Sequence, residues 1–176
     1  PELLLRLRHS EQQFVELSRR QYDVLNQLQS TPRLAIPGCA GSGKTLLAIE
    51  TARRLARRGL RVLLTCHTRE LAATIRNQVF DEPDAALDLI TVDHFHGLAG
   101  KLIGLETFRE FVQAHSHDEN FWDKMVPETL IDSLSEIEQR FDAIIVDEGQ
   151  DFGDDIWVAL EFLLEHPEHD IFYVFF

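Results

Sequence analysis

The stretch IIVDEGQDF, residues 144–152, carries an aliphatic run directly into Asp147, Glu148, Gln150 and Asp151. A strand that merely ended at the surface would need one turn residue there, not two adjacent carboxylates. An Asp at the tip of a buried strand can hold the shell of a Mg²⁺ ion, and a Glu one residue on can orient and deprotonate a water. Gln150, with both a donor and an acceptor, can contact a terminal phosphate or that water and register its loss. Surface acids at the start of a helix near Asp154 would explain Asp151 or Asp154, but not the adjacent pair. Upstream, GCAGSGKT (Gly38 to Thr45) matches G-x-x-x-x-G-K-[ST]. Gly38, Gly41 and Gly43 let the backbone wrap closely round an anion, with the N–H groups from Gly41 through Ser42 and Gly43 to Lys44 and Thr45 pointing inward. A helix beginning at this loop adds the positive end of its dipole. Lys44 supplies a point charge to the β- and γ-phosphates, and the Thr45 hydroxyl is a Mg²⁺ ligand. Together the two stretches describe ATP and Mg²⁺ chemistry. The water-positioning Glu148 favours hydrolysis over transfer to a small-molecule acceptor, which has no use for such a base.

The elements needed to bring these residues together can be read from the sequence pattern. Ser10 to Gln29 has helical spacing, with Ser10 as N-cap, and Thr31-Pro32 breaks it. RLAI (33–36) is a short strand before the glycine loop. Lys44 to Arg58 is a helix ended by Gly59 at a C′ position. RVLLT (61–65) is a second strand, Arg69 to Val79 a helix, and LDLITV (87–92) a third strand. FDAIIV (141–146), a helix over 154–166 and a last strand over 170–176 complete the series. Alternating strands and helices predict βαβ units and a mostly parallel sheet covered on both faces. Such sheets present their ligand crevice at the C-terminal strand ends, which places Asp147 beside Thr45. Residues 97–140 interrupt the alternation and read as a short helical insertion within one domain spanning 1–176.

The phosphate loop followed by VDEGQD resembles the first motor domain of superfamily 1 helicases of the UvrD/Rep type, from about Gln21 to the end of the chain. The resemblance implies a three-layer α/β, RecA-like P-loop NTPase that couples ATP hydrolysis to movement on single-stranded DNA, with RNA as another possible strand. Asp147, Glu148, Gln150 and Asp151 match the family's D-E-x-Q-D. Gly149 stands where alanine is more usual, a small-for-small change expected to matter little. By the same match Gln21 reads the adenine edge, although taken alone it is a helix-surface residue. LLTCHTRELA (63–72) is similar to a strand-contacting segment, so Thr65 and Thr68 would offer hydroxyls, and Arg69 a charge, to phosphate. The family's asparagine is not evident there. HFHGLAG (94–100) resembles a T-F-H-G-L stretch, with His94 in place of the threonine. It implies Phe95 as a base-stacking ring and His96 near the strand, against the alternative that Phe95 is a core residue. His94 and His96 as a metal pair lack a third ligand.

Composition is compatible with this reading. A hydrophobic share of 44% and a charged share of 27% are those of a globular protein. The net charge of −13 conceals a split: residues 1–80 hold 13 Lys+Arg against 6 Asp+Glu, giving +7, and the remainder hold 4 against 24, giving −20. Such asymmetry suggests a basic surface and an acidic one, with a solvated polar shell as the alternative, and charge alone does not decide between them. Cys39 and Cys66, far apart in sequence, are expected to be reduced thiols in a cytoplasmic protein, with no disulfide or zinc site. No apolar run reaches the ~20 residues of a membrane helix. The chain closes on an apolar strand, as a piece of a longer protein would. The resemblance implies a second motor domain in cis, supplying arginines to the γ-phosphate, and some relatives are fused to nuclease-like modules. The rival reading is a P-loop regulatory or signalling ATPase that does not translocate.

Overall fold

The computed structural model describes residues 31–39, 41, 43–81 and 83–176. The helix read over Ser10 to Gln29 lies outside them, as do Gln21 and Ser42. Five strands form one parallel sheet: β1 (Arg33–Ile36), β2 (Val62–Cys66), β3 (Ile90–His94), β4 (Ala143–Val146) and β5 (Ile171–Phe175), in the order β1-β5-β4-β2-β3. One strand, β5, separates the phosphate-loop strand from the strand that ends at Asp147.

Both faces of the sheet are covered, and the side-chain alternation explains why β2 and β4 read as unbroken apolar runs. Val62, Leu64, Ala143 and Ile145 point into one core, under α1 (Lys44–Arg57) and α2 (Arg69–Val79). Leu63, Ile144 and Val146 point into the other, under α3 (Phe95–Ile103), α5 (Val126–Asp132) and α6 (Asp154–Phe162). Burying a side chain such as Leu63 stabilises the fold by roughly 1.5–3 kcal/mol. Between α3 and α5 lie α4 (Leu105–His115) and a π-helical turn, Phe121–Met125. These elements fill the stretch between β3 and β4 that the sequence reading assigns to an insertion over residues 97–140, and the first of them starts at Phe95.

Among the boundaries that differ from the sequence reading, two have identifiable reasons. Residues 87–89 do not open the third strand. The Asp84 carboxylate accepts from the Ala86 amide at 3.0 Å and caps a 3₁₀ turn, Ala85–Leu89, so the strand starts at Ile90 and runs on to His94. The last helix stops at Phe162, short of residue 166, because its continuation is bound elsewhere. Phe141 N–H donates to Leu163 O at 3.0 Å and Glu165 N–H donates to Phe141 O at 2.9 Å. Among the described residues, no helix is long and apolar enough to cross a membrane.

Candidate nucleotide site and nucleic-acid face

The glycine loop leaves β1 tied to the neighbouring strand. Gly38 N–H donates to Phe176 O at 2.9 Å, and Phe176 N–H donates to Ile36 O at 3.2 Å. The chain then reverses through left-handed backbone at Gly41 (φ 75°) and at Gly43 (φ 82°), which is the N-cap of α1. A Cβ at Gly41 would meet nothing, so conformation rather than space requires glycine there. The first turn of α1 contains no acid, while its last turn carries Arg54 and Arg57. Nothing within the helix therefore quenches the positive end of its dipole at the loop. The Lys44 ammonium lies over the loop, donating to the carbonyls of Gly38 at 2.9 Å and Cys39 at 3.4 Å.

Asp147 reaches this loop from the tip of β4. Its side chain is fully buried, and Thr45 Oγ1 donates to its Oδ2 at 2.7 Å. The other oxygen, Oδ1, is buried without a hydrogen-bond partner among the described residues. Burial raises the carboxyl's pKa and repulsion from Glu148 adds to this, while the Thr45 hydroxyl and the Lys44 charge oppose it. A buried carboxylate with a free oxygen beside a threonine hydroxyl is a donor set for a hard divalent cation such as Mg²⁺.

Glu148 follows in left-handed backbone (φ 55°, ψ 48°), the one non-glycine at positive φ among the described residues. Such a conformation costs on the order of 1–3 kcal/mol and persists only where its surroundings impose it. Here the 3₁₀ turn Gly149–Asp151 imposes it, with the Asp151 amide donating to Glu148 O at 3.1 Å. Gln150 Nε2 donates to Glu148 Oε2 at 2.7 Å, so the amide grips the acid's side chain. Asp151 is exposed. Gly149 is not interchangeable with alanine, contrary to the sequence reading. A Cβ there would sit 2.4 Å from Val174 Cγ1 and 3.2 Å from Trp157 Cη2.

The residues expected to touch nucleic acid divide. Thr68 is exposed and caps α2, its Oγ1 accepting from the Leu71 amide at 3.3 Å, and Arg69 is exposed beside it. Thr65 is fully buried on the core side of β2, with its hydroxyl unpartnered, and offers nothing to a strand. Phe95 is likewise 0% exposed, held in the core with Leu63, Phe121 and Ile144, so no base can stack on it in this conformation. His96 is partly exposed and its Nε2 meets Trp122 O at 3.0 Å. A carbonyl only accepts, so Nε2 carries the proton. Burial lowers the pKa of this imidazole. The Cys39 thiol is exposed, whereas Cys66 is buried, and burial pushes its thiol up to about 12. Among the described residues, no three His, Cys, Asp or Glu side chains are grouped to hold a metal ion.

Two features escaped the sequence. Asp93, buried at the end of β3, accepts from Lys101 Nζ at 2.5 Å and from the His94 amide at 2.9 Å, with Arg76 Nη2 at 3.7 Å. Burial alone would raise its pKa, but the bonds from His94 and Lys101 prevail and hold it at about 2. Trp122, in the insertion, is 41% exposed next to His96. The only available signal was an aromatic in a polar stretch, and nothing in that stretch said which surface it would join.

A five-stranded parallel sheet with Lys44, Thr45 and Asp147 gathered at its C-terminal mouth defines a P-loop, RecA-like domain of the kind that drives superfamily 1 and 2 helicases. The sequence matches the family described as "Type III restriction enzyme, res subunit" over residues 4–166, and the chain belongs to that family. It is therefore a helicase-type ATPase domain, with nucleotide binding and nucleic-acid motor activity as its general functions. The sequence matches none of the curated proteins it was compared with.

Proposed function

We propose that the chain is the ATP-binding motor domain of a UvrD/Rep-like superfamily 1 DNA helicase or translocase, acting with a second motor domain in cis. The observation that carries this reading is the Thr45–Asp147 contact of 2.7 Å, with the second Asp147 oxygen buried and unpaired. Lys44 and the loop amides hold the β- and γ-phosphates. Thr45 and Asp147 hold Mg²⁺, which when bound neutralises charge on the phosphate oxygens. Glu148 accepts the proton of the attacking water. Its backbone strain fixes the carboxylate at the mouth, and the Gln150 amide sets that carboxylate's direction. Exchange of the Gln150 amide between Glu148 and the γ-phosphate links nucleotide state to the strand. Gln21 reads the adenine edge, while Thr68, Arg69 and His96 face the strand. An arginine supplied by the second motor domain is worth roughly 10³–10⁵ in rate in other P-loop enzymes, so this chain alone turns over slowly.

Anisotropy of a labelled single-stranded oligonucleotide tests the reading, with and without a nonhydrolysable ATP analogue. Nucleotide-dependent affinity is expected for the wild type, loss of analogue binding for Lys44→Ala, and retention for Glu148→Gln. Analogue binding without any oligonucleotide affinity would instead support a regulatory ATPase that does not translocate. Equal loss of binding in both variants would overturn the roles assigned to Lys44 and Glu148.

A further inference from the structure

A cavity of about 250 Å³ opens beside the N-terminus of α2, lined by Arg69, His94, His96, Gly97, Gly100, Leu105, Phe108 and Trp122. Its volume lies just under the ~300–1,000 Å³ of sites for drug-sized ligands, enough for one planar heterocycle. Two of its wall residues, the His94 and Phe108 rings, pack directly against two glycines one turn apart on α3. A Cβ at Gly97 would lie 2.4 Å from the His94 ring, and one at Gly100 would lie 2.7 Å from the Phe108 ring. Leu105 (63% exposed) and Trp122 (41% exposed) leave apolar surface at the opening. The His96 bond to Trp122 O at 3.0 Å, with the two rings edge to face at 5.1 Å, fixes the indole's backbone against the cavity.

The charge around the opening is the second observation. Among the described residues Arg69 has no ion pair or hydrogen-bond partner, unlike most cations of the fold, and Thr68 stands next to it. The lining contains no carboxylate, although residues 81–176 are strongly acidic. Asp93, whose Oδ1 would lie 2.8 Å from a Cβ at Gly97, is engaged by Lys101, Arg76 and His94. Glu70, Glu106 and Asp123 adjoin lining residues in sequence without lining the cavity themselves. A stacking face, a small cavity and an unpaired guanidinium together fit a base attached to a phosphate.

We propose that this cavity receives one unstacked nucleobase of a single strand, with Trp122 as its stacking face and Arg69 on the adjacent phosphate. The proposal rests on the nucleic-acid reading above and replaces Phe95 with Trp122 as the aromatic contact. It also gives the short insertion a task, because the insertion supplies Trp122, Leu105 and Phe108. Trp157 is the second of two tryptophans in these 176 residues, so in a protein of this sequence Trp157→Phe leaves Trp122 as the sole indole reporter.

Thymidine and uridine oligonucleotides, together with a fully abasic strand of equal phosphate count, are titrated against this protein. Saturable quenching of Trp122 by one or both base-bearing strands, and none by the abasic strand, is the expected result. The two base-bearing arms distinguish a DNA strand from an RNA strand. Trp122→Ala should weaken oligonucleotide binding roughly 5- to 150-fold by anisotropy, with Trp122→Phe much closer to wild type. Arg69→Ala should lower the salt slope of binding by about one. Wild-type affinity in Trp122→Ala, or binding without quenching, overturns the base pocket and leaves the strand reading standing. Absence of oligonucleotide binding by the wild type overturns both.

Discussion

Replacing Gly149 by alanine tests how tightly the acidic turn is braced against the sheet. The backbone there does not have positive φ, so alanine meets no conformational barrier and only its methyl is at issue. That methyl would come within 2.4 Å of Val174 Cγ1 and 3.2 Å of Trp157 Cη2. Valine is stiff at χ1, and Val174 is packed against the core beneath α6, so it cannot swing aside freely. Overpacking of this kind costs roughly 1–3 kcal/mol, partly offset by about 0.4–1 kcal/mol from removing a glycine from the unfolded chain. The net loss of about 0.5–2 kcal/mol corresponds to a melting temperature lower by roughly 1–8 °C for a chain of this size. Val174→Ala removes the obstructing methyl, at a cost of about 1 kcal/mol of its own. In that background Gly149→Ala should be neutral or stabilising, giving a coupling of about 1–2 kcal/mol in a double-mutant cycle. Denaturant unfolding of the four proteins measures it. Effects that add within about 0.5 kcal/mol would refute the account of the turn.

Three further outcomes are expected. Ionised Asp147 is a cost to the native state, since burial raises its pKa; the cost sets in as pH rises past the ordinary carboxyl value and is absent below it. Asp147→Asn should therefore melt a few degrees higher than wild type at pH 7 without nucleotide, on the order of 1 kcal/mol, with the gap closing toward pH 4. Asp93 has the opposite sign: its carboxyl, held at about 2 against an ordinary 3.8, stabilises by about 2 kcal/mol above pH 4 and loses this as pH falls toward 2. The stability gap between wild type and Asp93→Asn should narrow by about 1 kcal/mol from pH 6 to pH 3 in urea melts. With Cys66 pushed up to about 12, its thiolate fraction at pH 8 is on the order of 10⁻⁴. Iodoacetamide should then label Cys39 alone in the folded chain, by mass spectrometry, and a bound ATP analogue should slow that labelling.

The sheet and the phosphate loop were legible because each rests on local necessity. Apolar runs at β2 and β4 have no place except between two covered faces, and Gly41 and Gly43 take backbone that other residues avoid. Asp147 followed from strand direction alone. What remained hidden depends on contacts between distant segments. Thr65 and Phe95 belong to segments that resemble a strand-binding surface, yet the pleat of β2 and the first turn of α3 direct both side chains inward. Gly149 looked interchangeable with alanine because Val174, 25 residues on, is invisible to local reading. The late start of β3 turned on one side-chain bond from Asp84, and Trp122 on how the insertion folds back over His96.

The central claim is that Thr45 and Asp147 form one cation site at the mouth of the phosphate loop. Calorimetric titration of a nonhydrolysable ATP analogue, in Mg²⁺ and in EDTA, measures it on wild type and Asp147→Asn. Mg²⁺ should tighten binding roughly tenfold or more in the wild type and scarcely at all in the variant. Undiminished Mg²⁺ enhancement in Asp147→Asn would contradict the claim.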